Sequence, residues 1–362
     1  MKLLIITQKV DKNDSVLGFF HGWLVEFAKY SEKLAVICLE EGEHNLPKNV
    51  QVFSLGKPTQ GWPALGWERL FSKLKVLISF YKYIFKLRKE YDSVFVHMNK
   101  EYVILGGLFW KLWNKKVALW YTHKHVDIKL RLAEKLVNIV FTASKESFRL
   151  KSSKVKVVGH GIDVETFKPI EKKQSNVFRI VTVGRISPVK DYETLIGATE
   201  ILIKKNNSSI QVEVIGGPST AEDEDYLKRL HVLVQEKHLE QVIHFVGSVP
   251  NRDLSARLAH ADVFVNMSRT GGLDKAVLEA MACGIPVVTS NESLTPVLGF
   301  DVAMLVFPSG DANTCASRIE GVYTLSSDSY KMLTARLHMT VEKEHNINML
   351  IPRILSVYES SR

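Results

Sequence analysis

The sequence predicts an α/β protein built from two doubly wound, Rossmann-like domains that face each other across a cleft. Strand-sized apolar runs alternate with helix-sized amphipathic ones through most of the chain, as in βαβ units and parallel sheets. The alternation is interrupted at Pro169 to Asn176, a polar stretch without periodicity that reads as a linker, and then restarts. A chain of 362 residues also exceeds what one ordinary core organises. The expected domains are 1–168 and 169–345, with a helix at 346–362 crossing back to the first domain. Ligands of such folds sit at the carboxyl ends of the strands.

In chain order, the first domain reads as strands at Leu3 to Thr7, Leu34 to Leu39, Val50 to Ser54, Ser93 to His97, Lys116 to Thr122, Ile139 to Ala143 and Val155 to Gly159. The second reads as Arg179 to Gly184, Gln211 to Gly216, Val242 to Gly247, Asp262 to Met267, Pro286 to Ser290 and Ala303 to Phe307. Met1 to Ile6 is a first strand rather than a signal peptide, and there is no run of 18 or more apolar residues. A cytoplasmic protein is expected. Cys38, Cys283 and Cys315 are scattered and odd in number, without metal-ligand spacing, so they read as small core residues.

Charge is uneven. Residues 1–170 hold 28 Lys+Arg against 16 Asp+Glu, so the first half alone accounts for the net +9 of the chain. Such a half favours an anionic lipid surface, a polyanion or a phosphorylated acceptor. Arg69 to Lys89 concentrates this character, with seven basic residues, no acid, and Phe71, Phe80, Tyr81, Tyr83 and Phe85. Leu70, Leu74, Leu77, Tyr81 and Ile84 share one helical face, expected to pack on the first sheet, which leaves Phe80 and Tyr83 among the lysines. Trp62, Trp67, Trp110 and Trp113 add amphipathic aromatics. Two readings stand: peripheral association with the inner face of a membrane, or a solvated face whose lysine stems cover apolar surface.

The chemistry concentrates in the second domain. Ser268 to Gly284 joins a strand end, a glycine turn and a helix start, where unpaired N–H groups and the helix dipole favour phosphate. Arg185 and Lys190 leave the turn after Gly184 on the same sheet edge, ahead of a helix expected to be capped by Asp191. Two cations beside a helix N-terminus suit a diphosphate.

These residues resemble a known family. Gly184-Arg185 with Lys190, Glu279-Ala-Met-Ala-Cys-Gly-Ile-Pro-Val-Val288, Val157-Val-Gly-His-Gly-Ile-Asp163 with Phe167-Lys-Pro169, and Phe245-Val-Gly-Ser-Val249 look like the retaining glycosyltransferases of family four, which have the GT-B fold. The resemblance implies transfer of a sugar from a nucleoside diphosphate to a hydroxyl acceptor in glycan or glycolipid biosynthesis, with a lipid-linked acceptor as one candidate. By that resemblance Arg185 and Lys190 hold the donor diphosphate, and Glu279 accepts hydrogen bonds from the ribose. Gly271, Gly272, Leu273, Asp274 and Lys275 wrap sugar and pyrophosphate, and Ser248 and Val249 touch the base. Gly18 matches the glycine loop near the phosphate. His123 matches the active-site histidine, with His125 in reserve, and His97 and His125 are candidate acceptor contacts.

One departure stands out. Eight residues before Glu279, where the family has a glutamate, this chain has Gly271. Asp274 can supply the carboxylate or cap the helix that begins there, and Lys275 can pair with Glu279 at i,i+4. The missing glutamate motivates a rival reading, a catalytically weak nucleotide-sugar-binding or scaffold protein. Asp223-Glu-Asp225 has the form of a metal-binding pair but falls in the first turn of a helix, where acids favour the dipole. No metal or cofactor is expected to be essential. A Rossmann oxidoreductase is disfavoured because Gln8 to Asp14 lacks the glycine fingerprint, and no motif supports nucleic-acid binding.

Overall fold

The computed structural model describes residues 1–57, 66–170, 176–206, 209–269 and 272–360. The chain divides into two compact units, Met1–Gly161 with Ile347–Arg362, and Ile162–Asn346. The division thus falls seven residues before the 168/169 boundary read from the sequence. Most of the sequence linker lies outside the described residues.

The first unit runs β1 (Lys2–Val10), α1 (Phe19–Lys29), β2 (Lys33–Glu41), β3 (Val50–Ser54), α2 (Trp67–Lys86), β4 (Ser93–His97), α3 (Lys100–Leu112), β5 (Lys116–Trp120), α4 (Ile128–Leu136), β6 (Ile139–Thr142) and β7 (Val155–Val157). All strand pairs are parallel, in the order β3-β2-β1-β4-β5-β6-β7. β1 lies inside the sheet, between β2 and β4, and Leu3, Leu4, Ile5 and Ile6 are buried on both of its faces, the pattern of a strand covered by helices above and below. In α1, Phe20, Trp23, Leu24 and Phe27 recur at helical spacing and are buried. Trp23 Nε1 donates to the carbonyl of Gly161 at 3.1 Å, and its ring meets Trp120 edge-on at 4.8 Å.

Helix α2 presents a different face to the core than its leucine spacing suggests. Leu70 and Leu74 are exposed, whereas Phe80, expected among the lysines, is fully buried with Ile84 and Leu87. Phe80 packs 5.1 Å from the Tyr102 ring and edge-on to Trp110. Apolar residues line two sides of this helix, and the aromatic layer offered by α3 takes the side with the larger ring. Trp110 belongs to that core as well, its Nε1 donating to Tyr91 Oη at 3.0 Å. Trp62 lies outside the described residues.

The second unit runs β8 (Phe178–Val183), α5 (Tyr192–Asn206), β9 (Ile210–Ile215), α6 (Ala221–Glu236), β10 (Ile243–Gly247), α7 (Asn251–Leu258), β11 (Val263–Asn266), α8 (Lys275–Ala282), β12 (Val287–Thr289), α9 (Thr295–Leu298), α10 (Val302–Leu305), α11 (Ala312–Tyr323) and α12 (Ser327–Glu344). Its parallel sheet has the order β10-β9-β8-β11-β12. The expected strand at Ala303 to Phe307 is instead the turn of helix α10, with a single bridge from Val306 to Thr289. A short apolar run fits a buried helix as well as a strand, and periodicity does not separate them.

The last helix, α13 (Ile347–Ser360), belongs to the first unit. Tyr358 Oη donates to the Val94 carbonyl at 2.7 Å, and Arg353 donates to that of Val158 at 2.7 Å. The three cysteines are free and buried.

The two sides of α2 separate in a stability measurement. Phe80→Ala is expected to cost about 3–5 kcal/mol in urea unfolding, and Leu74→Ala less than about 0.5 kcal/mol. Equal losses would contradict this assignment of faces.

Candidate functional site

In the second unit the strand order reverses between β8 and β11, so the loops after these two strands leave the same edge in opposite directions. Such a switch point is where open α/β sheets bind ligands. The loop after β8 carries Arg185 and Lys190, and the loop after β11 leads to α8.

Glycines draw the strand ends together here. Gly216 has φ 142°, and a Cβ on it would lie 1.9 Å from the Gly184 carbonyl oxygen. A side chain has no room. Gly216 N donates to the Gly247 carbonyl at 2.9 Å, and Gly217 lies against Ser248 Oγ. The base-loop candidates Ser248 and Val249 thus sit beside β9, with Ser248 exposed and Val249 half-buried.

Lys190 Nζ lies 2.6 Å from Asp274 Oδ2. Asp274 caps α8, accepting from Ala276 N at 3.3 Å, and also accepts from Asn266 Nδ2 at 3.1 Å. Burial would raise its carboxyl, but the Lys190 charge and hydrogen bond, with the Asn266 amide and the Ala276 N–H, outweigh burial and hold it below the usual carboxylate value. A carboxylate of the chain itself therefore occupies the helix N-terminus that the sequence marks as an anion site.

The other charged groups are paired too. Lys275 forms a short ion pair with Glu279, which is buried and also accepts from Asn251 Nδ2 at 3.0 Å. Arg269 donates to Asp191 at 2.7 Å, and its backbone N–H reaches the Val189 carbonyl at 3.1 Å. Asp191, with φ 52°, also accepts from Thr194 Oγ1, while the N–H of Tyr192 goes to Tyr226 Oη. Arg185 is the least engaged. Its side chain is half exposed, and its nearest carboxylate, Asp223, is 3.9 Å away.

Asn266, Thr289 and Asn291 complete the site, and no motif singled them out. Thr289 Oγ1 donates to Asn266 Oδ1 at 3.2 Å and accepts from Asn291 N at 3.0 Å. Asn291 Nδ2 then holds the carbonyl of Gly272 at 3.0 Å, next to Leu273, itself buried. The available signal was a polar residue ending each of two apolar strands, Val-Phe-Val-Asn266 and Val-Val-Thr289. Gly271 lies outside the described residues. In the acidic turn of α6, Asp223 points inward to the Ser219 N–H and Asp225 pairs with Lys228.

In the first unit the candidates part company. His97 ends β4 in the core, its ring stacked 4.0 Å from Phe20 and Nδ1 3.2 Å from Thr7 Oγ1. Burial pushes its imidazole down to about 3, so it is neutral. This is a packing residue, and the acceptor role expected for it is not carried forward. His123 and His125 lie exposed after β5, with His125 N donating to His123 Nδ1 at 3.1 Å. Partial burial, then the charges of His125 and Lys100, hold His123 below its usual value. Gly18 closes the turn before α1, where a Cβ would meet the Asp14 carbonyl oxygen at 2.4 Å. Its smallness serves that turn.

Comparisons with known proteins fit this geometry. Residues 163–335 match the family described as glycosyl transferases group 1. The second unit belongs to that family. The amylovoran biosynthesis glycosyltransferase AmsK of Erwinia amylovora is 26% identical over 216 residues, 58% of this chain and 51% of AmsK. The D-inositol 3-phosphate glycosyltransferase of Frankia alni is 31% identical over 150 residues, 38% of this chain and 36% of that protein. This chain therefore spans about half or less of the length of these curated relatives. Among solved structures, Anabaena HepE in complex with UDP and glucose superposes with a TM-score of 0.76 at 18% identity, over 99% of this chain and 100% of HepE. The fold of the chain is GT-B, as the resemblance implied.

Protonation of His97 gives this core a pH dependence. The unfolded chain takes up a proton near pH 6.5, whereas the folded one resists until about 3. The stability that the neutral ring contributes is present above pH 6.5 and lost as pH falls towards 3. Thermal melts from pH 7.5 to 4.5 are expected to show a shallower fall for His97→Asn than for the parent; parallel curves would refute the assignment.

Proposed function

We propose that this protein transfers a sugar from a nucleoside diphosphate to a hydroxyl acceptor, with retention at the anomeric carbon, in the building of a glycan. The observation that supports the reading is the contact of Lys190 with Asp274 at the start of α8, made from the same β8 loop that carries Arg185, at the β8/β11 switch point of a group 1 domain. The biosynthetic role draws on relatives such as AmsK.

In this reading the diphosphate enters a site whose cations already have carboxylate partners. Arg185, loosely held and exposed, meets the phosphates first. Lys190 then exchanges Asp274 for phosphate, and the two cations stabilise the charge that develops on the departing nucleotide. Glu279 stands ready for the ribose hydroxyls because Asn251 and Lys275 fix its orientation before the donor arrives. As the bond from the anomeric carbon to the phosphate oxygen breaks, the acceptor oxygen bonds that carbon on the same face, and its proton passes to the leaving phosphate. By the family resemblance His123 is the active-site histidine of this scheme. These groups already provide positive charge, so the reading needs no essential metal.

Incubation with UDP-, GDP- and ADP-sugars is expected to release nucleoside diphosphate for one of them. Turnover should be insensitive to EDTA, and the product should keep the donor's anomeric configuration by NMR. Arg185→Ala and Lys190→Ala are each expected to slow transfer by about 100-fold or more. Near-normal rates in both would sink the diphosphate assignment, and nucleotide-sugar binding without turnover would favour the scaffold reading.

Asp274→Asn tests the exchange itself. It is expected to bind the matching nucleoside diphosphate more tightly by calorimetry, because Lys190 is released. Unchanged or weaker binding would show that Asp274 does not compete with the phosphate.

A further inference from the structure

The side of α2 turned away from the core is an apolar stripe. Trp67, Leu70, Phe71, Leu74, Ile78 and Phe85 recur at i, i+3, i+4, i+7, i+11 and i+18, which brings them to one side of the helix. All are exposed, Trp67 by 76% and Ile78 by 60%. Single exposed apolar residues are ordinary on protein surfaces, but six along one helical line are not. The stripe broadens onto α3, whose Leu108 and Leu112 are also exposed, since Phe85 packs 5.0 Å from both Phe109 and Trp113.

Charge selects the occupant. Lys73 borders one side of the stripe, and Lys75, Lys82 and Lys86 border the other; Glu68 is the one acid in the helix. We propose that this face of α2 docks the protein in the plane of an anionic lipid bilayer. The helix is about 30 Å long at 1.5 Å per residue, and no helix among the described residues is long and apolar enough to cross a membrane. An in-plane seat buries the aromatic and aliphatic stripe at the headgroup boundary, while the flanking lysines extend to lipid phosphates. The excess of basic residues in 1–170 adds longer-range attraction. A second copy of the chain fits less well, because an isologous contact through this face would bring the same lysine borders together.

The proposal goes beyond the transfer reaction, and its test uses no donor, so the two stand or fall separately. Flotation of the full chain is expected with vesicles of phosphatidylglycerol and phosphatidylcholine in equal parts, and not with phosphatidylcholine alone. Leu74→Ser/Ile78→Ser changes exposed side chains and should keep the parent circular dichroism spectrum while lowering the partition coefficient about tenfold or more. Each of Lys73→Gln, Lys75→Gln and Lys82→Gln is expected to lower it about fivefold. Absence of flotation by the parent, or equal flotation by the serine variant, would overturn the proposal. So would a parent dimer that the serine variant dissolves in sedimentation velocity, with no vesicle binding by either.

Discussion

The reversal of strand order between β8 and β11 is the constraint on which the candidate site depends. Two parallel strands lie side by side, yet their connections depart in opposite directions, so side chains 84 residues apart in sequence meet without a loop closing over them. Lys190 and Asp274 meet there because β8 and β11 are hydrogen-bonded neighbours. Gly216, where a Cβ would lie 1.9 Å from the Gly184 carbonyl oxygen, lets the ends of β8 and β9 approach closely enough for their turns to share one edge. A side chain at Gly216 would push the β9 end away from β8, and with it the loop that carries Arg185.

Electrostatics then decide what kind of anion site this is. An empty cluster of cations would repel itself and attract any anion. Here, among the described residues, Arg185, Lys190, Arg269 and Lys275 each face a carboxylate. A ligand gains only the difference between its own contacts and those it displaces, which favours a ligand that engages several of these groups together. The polar chain from Asp274 through Asn266 and Thr289 to Asn291 and Gly272 serves the same end. It ties the helix cap and the Gly272 carbonyl to two strand ends, so both are in place before a ligand arrives.

The first unit shows the complementary case, in which a side chain that looks chemical turns out to pack. His97 ends a strand of the first sheet, but its ring lies between Phe20 and Thr7 and stays neutral. Helix α2 does the reverse, leaving outside several side chains that look like core. Its buried face is chosen by the aromatic surface of α3, and the remaining apolar stripe stays available to a bilayer.

By itself the sequence determined the alternation of strands and helices, the two-domain plan, the family resemblance, and the charged residues Arg185, Lys190, Asp274, Lys275 and Glu279. Each of these rests on short-range pattern: an apolar run, a glycine before a helix, a charge at a fixed spacing. Tertiary structure alone decided which face of α2 is buried, that residues 302–305 are helical, that His97 is core, and that Asn266, Thr289 and Asn291 hold the site. Those outcomes depend on which side chains another element offers across space. A five-residue apolar run or a two-sided amphipathic helix is satisfied equally well by more than one neighbour, so only the packed chain distinguishes them.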